Sequence, residues 1–251
     1  MSRSLTTPLS NALDDAVVYP FFAVELYFKN ETICLWTGYG DLVAGSEFTA
    51  FISDNTLTVT SVAVGTLAVG DYVSGADINS NTTITSFVSG TGGVGTYTIN
   101  IPQTIASQTM QAGEKYLGAG TLLNISSVEE TTEIEAKGAT ITLSGIPSTI
   151  LSLALEEPYQ GRVCKIYFGV TSSPSYYVEI FSGELDQMNV VEEAESCTIS
   201  VTAENVLIKL ERPTVRRFTD QDQKSRYPTD RGLEFIASLQ DKEIFWGRKA
   251  A

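Results

Sequence analysis

Carboxylates are the first residues to weigh for chemistry in this chain, because its 251 residues include no histidine. That removes the commonest general base, the commonest metal ligand and the middle member of a Ser/His/Asp triad. Glycoside hydrolysis needs two positioned acids, and the candidate pairs are Glu129/Glu130, Glu156/Glu157, Glu192/Glu193 and Asp220/Asp222. Neighbouring residues of a strand point to opposite faces, so an extended doublet cannot flank a substrate by itself. These acids therefore read as solvated surface or turn charges. Asp220-Gln221-Asp222 has the opening spacing of a calcium loop without its glycine and distal glutamate, so no metal site is expected. Gly90-Thr91-Gly92-Gly93-Val94-Gly95 resembles a phosphate loop in composition but leads into a strand, which supplies no helix N-terminus for a phosphate. Cys34, Cys164 and Cys197 lie far apart in strand-like apolar runs and read as small buried hydrophobes rather than ligands or disulfides. No catalytic, cofactor-binding or metal-ligating residue is assigned, and the chain is expected not to be an enzyme.

The elements around these residues read as mainly β. Hydrophobic residues make up 43% of the chain and charged residues 18%, a globular composition far from that of disordered segments. No stretch approaches the roughly 20 consecutive apolar residues that span a bilayer, and Met1-Ser2-Arg3-Ser4 lacks the apolar core of a signal peptide. A soluble protein made in the cytoplasm is expected. Thr6-Thr7-Pro8 offers a helix cap and an early proline, and Leu5, Leu9, Ala12, Leu13 and Ala16 recur at helical spacing. Phe22–Phe28 and Thr32–Trp36, separated by Lys29-Asn30-Glu31, form a β-hairpin signature. Further strands are expected at Ala139–Gly145, Val163–Val170, Tyr176–Leu185 and Cys197–Val201, with a short helix from Ser148 to Leu155 stopped before Pro158. The predicted architecture is an antiparallel β-barrel or sandwich host domain with short helices, formed by residues 1–47 and 111–210.

Residues 48–110 differ sharply in composition, holding three charges, Asp54, Asp71 and Asp77, among 63 residues. Alternating apolar and hydroxyl residues at 56–60, 82–85 and 96–101, with Gly-rich turns between, predict an inserted small β-domain. Its aromatics, Phe48, Phe51, Tyr72, Phe87 and Tyr97, fall mostly at core-like alternation, which argues against a free carbohydrate-binding module.

Charge is distributed unevenly. Residues 1–210 hold 23 Asp/Glu against 7 Lys/Arg, a balance of −16, whereas residues 211–251 hold 7 acids and 9 bases. A body this acidic, with no basic stripe interleaved with aromatics, is not expected to bind nucleic acid directly. Residues 211–251 read as an extended C-terminal arm leading into a small helix, with Leu233, Phe235, Ile236 and Leu239 at helical spacing behind Thr229 and Asp230. Arg216, Arg217, Phe218, Tyr227 and Trp246 are residue types enriched at interfaces, which makes them candidate docking anchors on a neighbouring subunit.

Several segments together resemble phage and gene-transfer-agent tail proteins of the hub or distal-tail type, a family of β-structured assembly subunits. They are Leu35-Trp36-Thr37-Gly38-Tyr39-Gly40-Asp41-Leu42, Leu117–Ile125, Val128–Ile134, Leu143–Pro147, Glu157–Arg162 and Arg216–Pro228. In that family Gly-Asp-Leu runs almost directly into Leu-Gly-Ala-Gly, so residues 48–110 look like an added module, similar to Thr/Gly-rich decorations of phage structural proteins. The resemblance implies a structural virion protein of the tail tip or baseplate, made in the bacterial cytoplasm and placed at the distal end of the tail. It implies a homo-oligomeric ring, a trimer for a hub or a hexamer for a distal-tail subunit, linking the tube to the spike or receptor-binding apparatus. Its expected partners are further copies of itself, the tail tube, the hub or spike and the fibres, with no membrane anchor and no cofactor. The alternative is a tail-associated protein that binds or degrades cell wall or carbohydrate.

Overall fold

The computed structural model describes residues 5–118, 120–129, 137–144, 158–192, 197–211 and 216–239. Two compact units divide the chain, Met1–Ile208 and Lys209–Ala251. The first is mainly β. Its N-terminal helix α1 (Thr7–Leu13) starts at Thr6, with Pro8 in the first turn. Its apolar side buries Leu9 and Ala12 against Val170. The alternating runs that follow form β1 (Pro20–Tyr27) and β2 (Thr32–Trp36), paired as an antiparallel hairpin from Ala23↔Trp36 to Tyr27↔Thr32.

The remaining strands are β3 (Asp41–Val64), β4 (Tyr72–Ser74), β5 (Ile84–Phe87), β6 (Gly95–Leu117), β7 (Leu122–Ile125), β8 (Gly138–Ser144), β9 (Val163–Val170), β10 (Val178–Glu192) and β11 (Cys197–Asn205). They join one sheet in the order β3-β6-β2-β1-β9-β10-β11-β8-β7, with β4 and β5 also on β6. Period-two alternation puts Val24, Leu26, Leu35, Cys164, Ile166, Leu185, Ile199, Val201, Ile141, Leu143 and Leu122 into one core on the inner face. Because β2 and β7 both contribute to that core, the sheet curls around it. Bulges in β10 and at Leu122/Asn124 add the bending that such a curl needs.

The expected mainly β fold with short helices is observed; of the barrel and sandwich alternatives, a closed barrel does not form among the described residues, where the sheet is curled and open. The outer edge of β2 is occupied by β6, which pairs with it in parallel at Leu35↔Leu117, so this edge is not available to β7. This contact also makes the sheet mixed rather than wholly antiparallel.

The charge-poor stretch is built on β3 and β6, antiparallel from Asp41↔Leu117 to Val59↔Gly95. Its compositional boundaries at 48 and 110 fall inside these continuous strands, not at linkers. The ribbon changes register between Asp54 and Thr56, where Asp54 adopts a left-handed φ of 55°. Phe48, Ala50, Ile52, Leu57, Val59, Leu67, Val73, Ile84, Tyr97, Ile99, Met110 and Ala112 form a separate core there. Gly45 and Gly113 face each other at the neck of the ribbon, and a Cβ on Gly113 would sit 2.2 Å from the carbonyl oxygen of Ala44. Only glycine permits backbones to approach that closely.

After β11 come α2 (Ile208–Glu211) and, in the second unit, α3 (Asp220–Arg226) and α4 (Ile236–Leu239). The arm expected to run extended into a helix around Leu233–Leu239 instead turns helical earlier, at α3. Thr219 caps the helix by accepting from the Asp222 amide, with Asp220 and Asp222 in the first turn and Lys224 and Arg226 in the last. That charge order suits the helix dipole. The helix expected over Ser148–Leu155 lies outside the described residues. No described helix is long and apolar enough to cross a membrane.

Candidate functional site

The most unusual polar group is Glu25, in the middle of the apolar strand β1. Val24 and Leu26 point into the inner core, which turns Glu25 to the other face with Phe21 and Ala23. There the side chain is covered, with the residue 5% exposed. Three phenols donate to its carboxylate: Tyr116 to Oε1 at 2.6 Å, Tyr167 to Oε2 at 3.0 Å, and Tyr27 also to Oε2. These donors come from β6, β9 and β1, and Tyr177 stands edge-on to Tyr167 with ring centres 5.1 Å apart. A buried carboxylate is tolerable when its lone pairs are taken up in this way, and bonds to a charged acceptor are stronger than neutral ones.

Burial pushes the phenols of Tyr27, Tyr116, Tyr167 and Tyr177 well above their ordinary range, and the neighbouring Glu25 charge adds to it. The Cys34 thiol is pushed up to about 12, first by burial and then by Glu25 and Glu114. Cys164 is likewise raised to about 12 by burial and Glu25. Burial also raises Glu114, with further contributions from Glu25 and Asp71. The thiols and phenols around Glu25 are thus held protonated near neutral pH, which is the opposite of what activates a thiolate or phenolate nucleophile. This arrangement can pin β1, β6 and β9 together; it is not organised for group transfer.

Beside it, Lys115 braces the neck. Its Nζ donates to Asn81 Oδ1 at 2.8 Å, lies 3.3 Å from Asp41 Oδ2 and sits 5.1 Å from the centre of the Tyr72 ring.

The inner face opens into a cleft of about 640 Å³ lined by Phe22, Thr37, residues 123–128 and Ile180. The lining contains apolar side chains, hydroxyls and one amide, with no acid, base or thiol. Among the described residues that line it, none offers a proton-transfer group.

Of the acids considered for catalysis, Glu129 and Glu192 are exposed, while Glu130, Glu156, Glu157 and Glu193 lie outside the described residues. Asp220 pairs with Lys224 at 2.8 Å. No group of three or more His, Cys, Asp or Glu side chains that could hold a metal occurs among the described residues. Cys34 and Cys164 are buried and Cys197 half-buried, none in a disulfide. The interface candidates are solvent-facing: Arg216 and Arg217 are exposed, Phe218 is 85% exposed and Tyr227 60%. Trp246 lies outside the described residues.

No protein-family model matches the chain, and no curated protein does.

Sequence reasoning missed the Glu25 cluster, and the available signal was one acid inside the otherwise apolar run Phe21–Leu26, followed by Tyr27 on the same strand face. Tyr39 belongs to the Leu35–Leu42 segment. This residue is 89% exposed at the turn between β2 and β3, and its neighbours are fixed by a Trp36 Nε1 bond to the Gly40 carbonyl at 2.8 Å.

Proposed function

We propose that this chain is a structural subunit of a bacteriophage tail tip, a ring-forming hub or distal-tail protein between the tail tube and the spike or receptor-binding apparatus. The observation that carries this reading is the meeting of two segments on which the family resemblance rests, although they are separated by about 75 residues of sequence. Asp41 pairs directly with Leu117, and the Gly118 amide donates to the Gly40 carbonyl at 2.8 Å. A Cβ on Gly118 would lie 2.5 Å from the Gly38 carbonyl oxygen and 2.9 Å from Trp36 Nε1. Trp36, Gly38, Gly40 and Gly118 therefore form one packed corner, which gives a physical reason for their identities. A short turn from Asp41 to Leu117 would close the same corner without the insert, as the family pattern implies. Loops on a rigid scaffold accept such insertions at small entropic cost.

The degradative alternative needs two carboxylates converging on a cleft, and the described residues lining the cleft on the inner face include none. Imaging of purified particles by cryo-electron microscopy tests the proposal directly. The expected result is a three- or sixfold ring of this chain at the distal end of the tail. Its absence from particles, or turnover of peptidoglycan abolished by a single Glu→Gln change, would overturn the reading.

A further inference from the structure

The second unit exposes what a folded segment normally covers. Phe218, Tyr227, Phe235 and Leu239 are 85%, 60%, 65% and 54% exposed, and neither α3 nor α4 has a buried residue. These helices are 7 and 4 residues long. Helices below roughly 12–15 residues are marginal in water without tertiary packing. Among the described residues, nothing within the second unit covers these side chains.

We propose that this segment docks in trans on the acidic first unit of a second copy of the same chain. Charge selects the partner. Residues 211–251 carry 9 of the chain's 16 basic residues, whereas residues 1–210 have a balance of −16. Arg216 and Arg217, both exposed, lie next to Phe218. A guanidinium can take a carboxylate through two parallel hydrogen bonds, and an aromatic anchor between or beside such pairs is typical of an interface centre. A segment of one subunit held by the body of the next is a head-to-tail contact, which closes into a ring when its rotation allows. The proposal deepens the ring-subunit reading and names the contact that would hold the ring.

The test uses the full-length protein with Phe218 replaced by photoreactive p-benzoylphenylalanine, mixed from isotopically light and heavy preparations. The expected product after irradiation joins residue 218 of one copy to a peptide within residues 1–208 of the other. In parallel, full-length protein carrying Arg216→Glu and Arg217→Glu should keep its β-type circular dichroism and self-associate at least tenfold more weakly in sedimentation. Crosslinks confined to one copy, crosslinks only between two C-terminal units, or an unchanged association constant would each overturn the docking. Rings seen in particles without trans crosslinks would overturn this contact alone. Trans crosslinks in a protein missing from particles would keep it and remove the tail-tip reading.

Discussion

The insert and the C-terminal unit both depart from the composition of the host, in opposite directions and with opposite consequences. The insert, with three charges in 63 residues, alternates apolar and hydroxyl side chains along paired strands and buries a core of its own. The C-terminal unit is rich in charge and poor in aliphatics, and its described residues include none that is buried. In the insert, the long β3–β6 ribbon brings residues from both ends of the segment into contact, so apolar side chains cover each other within one chain. In the C-terminal unit, short helices leave their apolar side chains facing solvent. A segment of the first kind covers its own apolar side chains; one of the second kind leaves its described apolar side chains exposed.

The strongest way to break this comparison is to truncate one large apolar side chain in each region. Phe48 is 1% exposed in the insert core, and Phe48→Ala should destabilise the isolated protein by about 3–5 kcal/mol through lost burial and the cavity left behind. Phe218→Ala in the same monomeric preparation should stay within about 0.5 kcal/mol, the usual range for an exposed position. Urea titrations followed by tryptophan fluorescence and circular dichroism measure both. Equal effects would mean that the two regions do not differ in kind.

Next in size is the carboxylate cage between host strands and the ribbon. Tyr116→Phe removes one of three phenol donors to Glu25 and leaves part of a buried carboxylate unsatisfied, an expected loss of about 1–3 kcal/mol near neutral pH. The cage also fixes an alkaline limit. The folded-state pKa values of Tyr116, Tyr167 and Tyr27 lie above the ordinary 10.0, so the folded chain holds these protons more tightly than the unfolded one. Their contribution is complete below pH 10 and is lost as pH rises beyond it; Cys34 and Cys164 add a similar loss from pH 9 towards about 12. Stability should fall above pH 9–10 in the wild type and fall less steeply in Tyr116→Phe. Parallel curves for the two proteins would show that Tyr116 does not contribute to the alkaline limit.

Which features were legible in the sequence follows from how local their causes are. The strand Val163–Val170 was read at its observed limits, and Gly138–Ser144 within one residue, because alternation with β-branched side chains is a local property. Barrel closure was not legible, since it turned on a single distant pairing, Leu35 with Leu117, that decides which strand takes the edge of β2. The Glu25 cage hid for the same reason: its partners Tyr116 and Tyr167 lie 91 and 142 residues away. Helix α3 is locally encoded by the Thr219 cap and the acid-to-base order of its charges, but it contains no aliphatic residue, so it carries no apolar periodicity to mark it as a helix. The exposure of Arg216, Arg217, Phe218 and Tyr227 follows from residue type alone.

The smallest expected effect sharpens the comparison at the level of single ion pairs. Lys115 and Lys224 each hold a carboxylate, but in different settings. Lys115 is 19% exposed at its side chain and is shared among Asp41, Asn81 and the Tyr72 ring, so several partners lose it at once. Lys224 is 37% exposed and bridges Asp220 one helical turn away. Partial burial and multiple partners make the first site the stronger one, with Lys115→Met expected to cost about 1 kcal/mol, most of it insensitive to salt. An exposed i,i+4 pair is worth about 0.3–0.5 kcal/mol and is screened by salt, so Lys224→Met should change the unfolding midpoint of the isolated chain barely measurably. Hydrogen exchange then separates the two regions. Amides of β6 should exchange only on global unfolding, whereas those of α3 should exchange quickly in the monomer, with or without Lys224, and slow down only when the chain self-associates. Slow exchange of α3 in the monomer would mean that its exposed helix carries stability of its own, and the contrast with the insert would fail at that point.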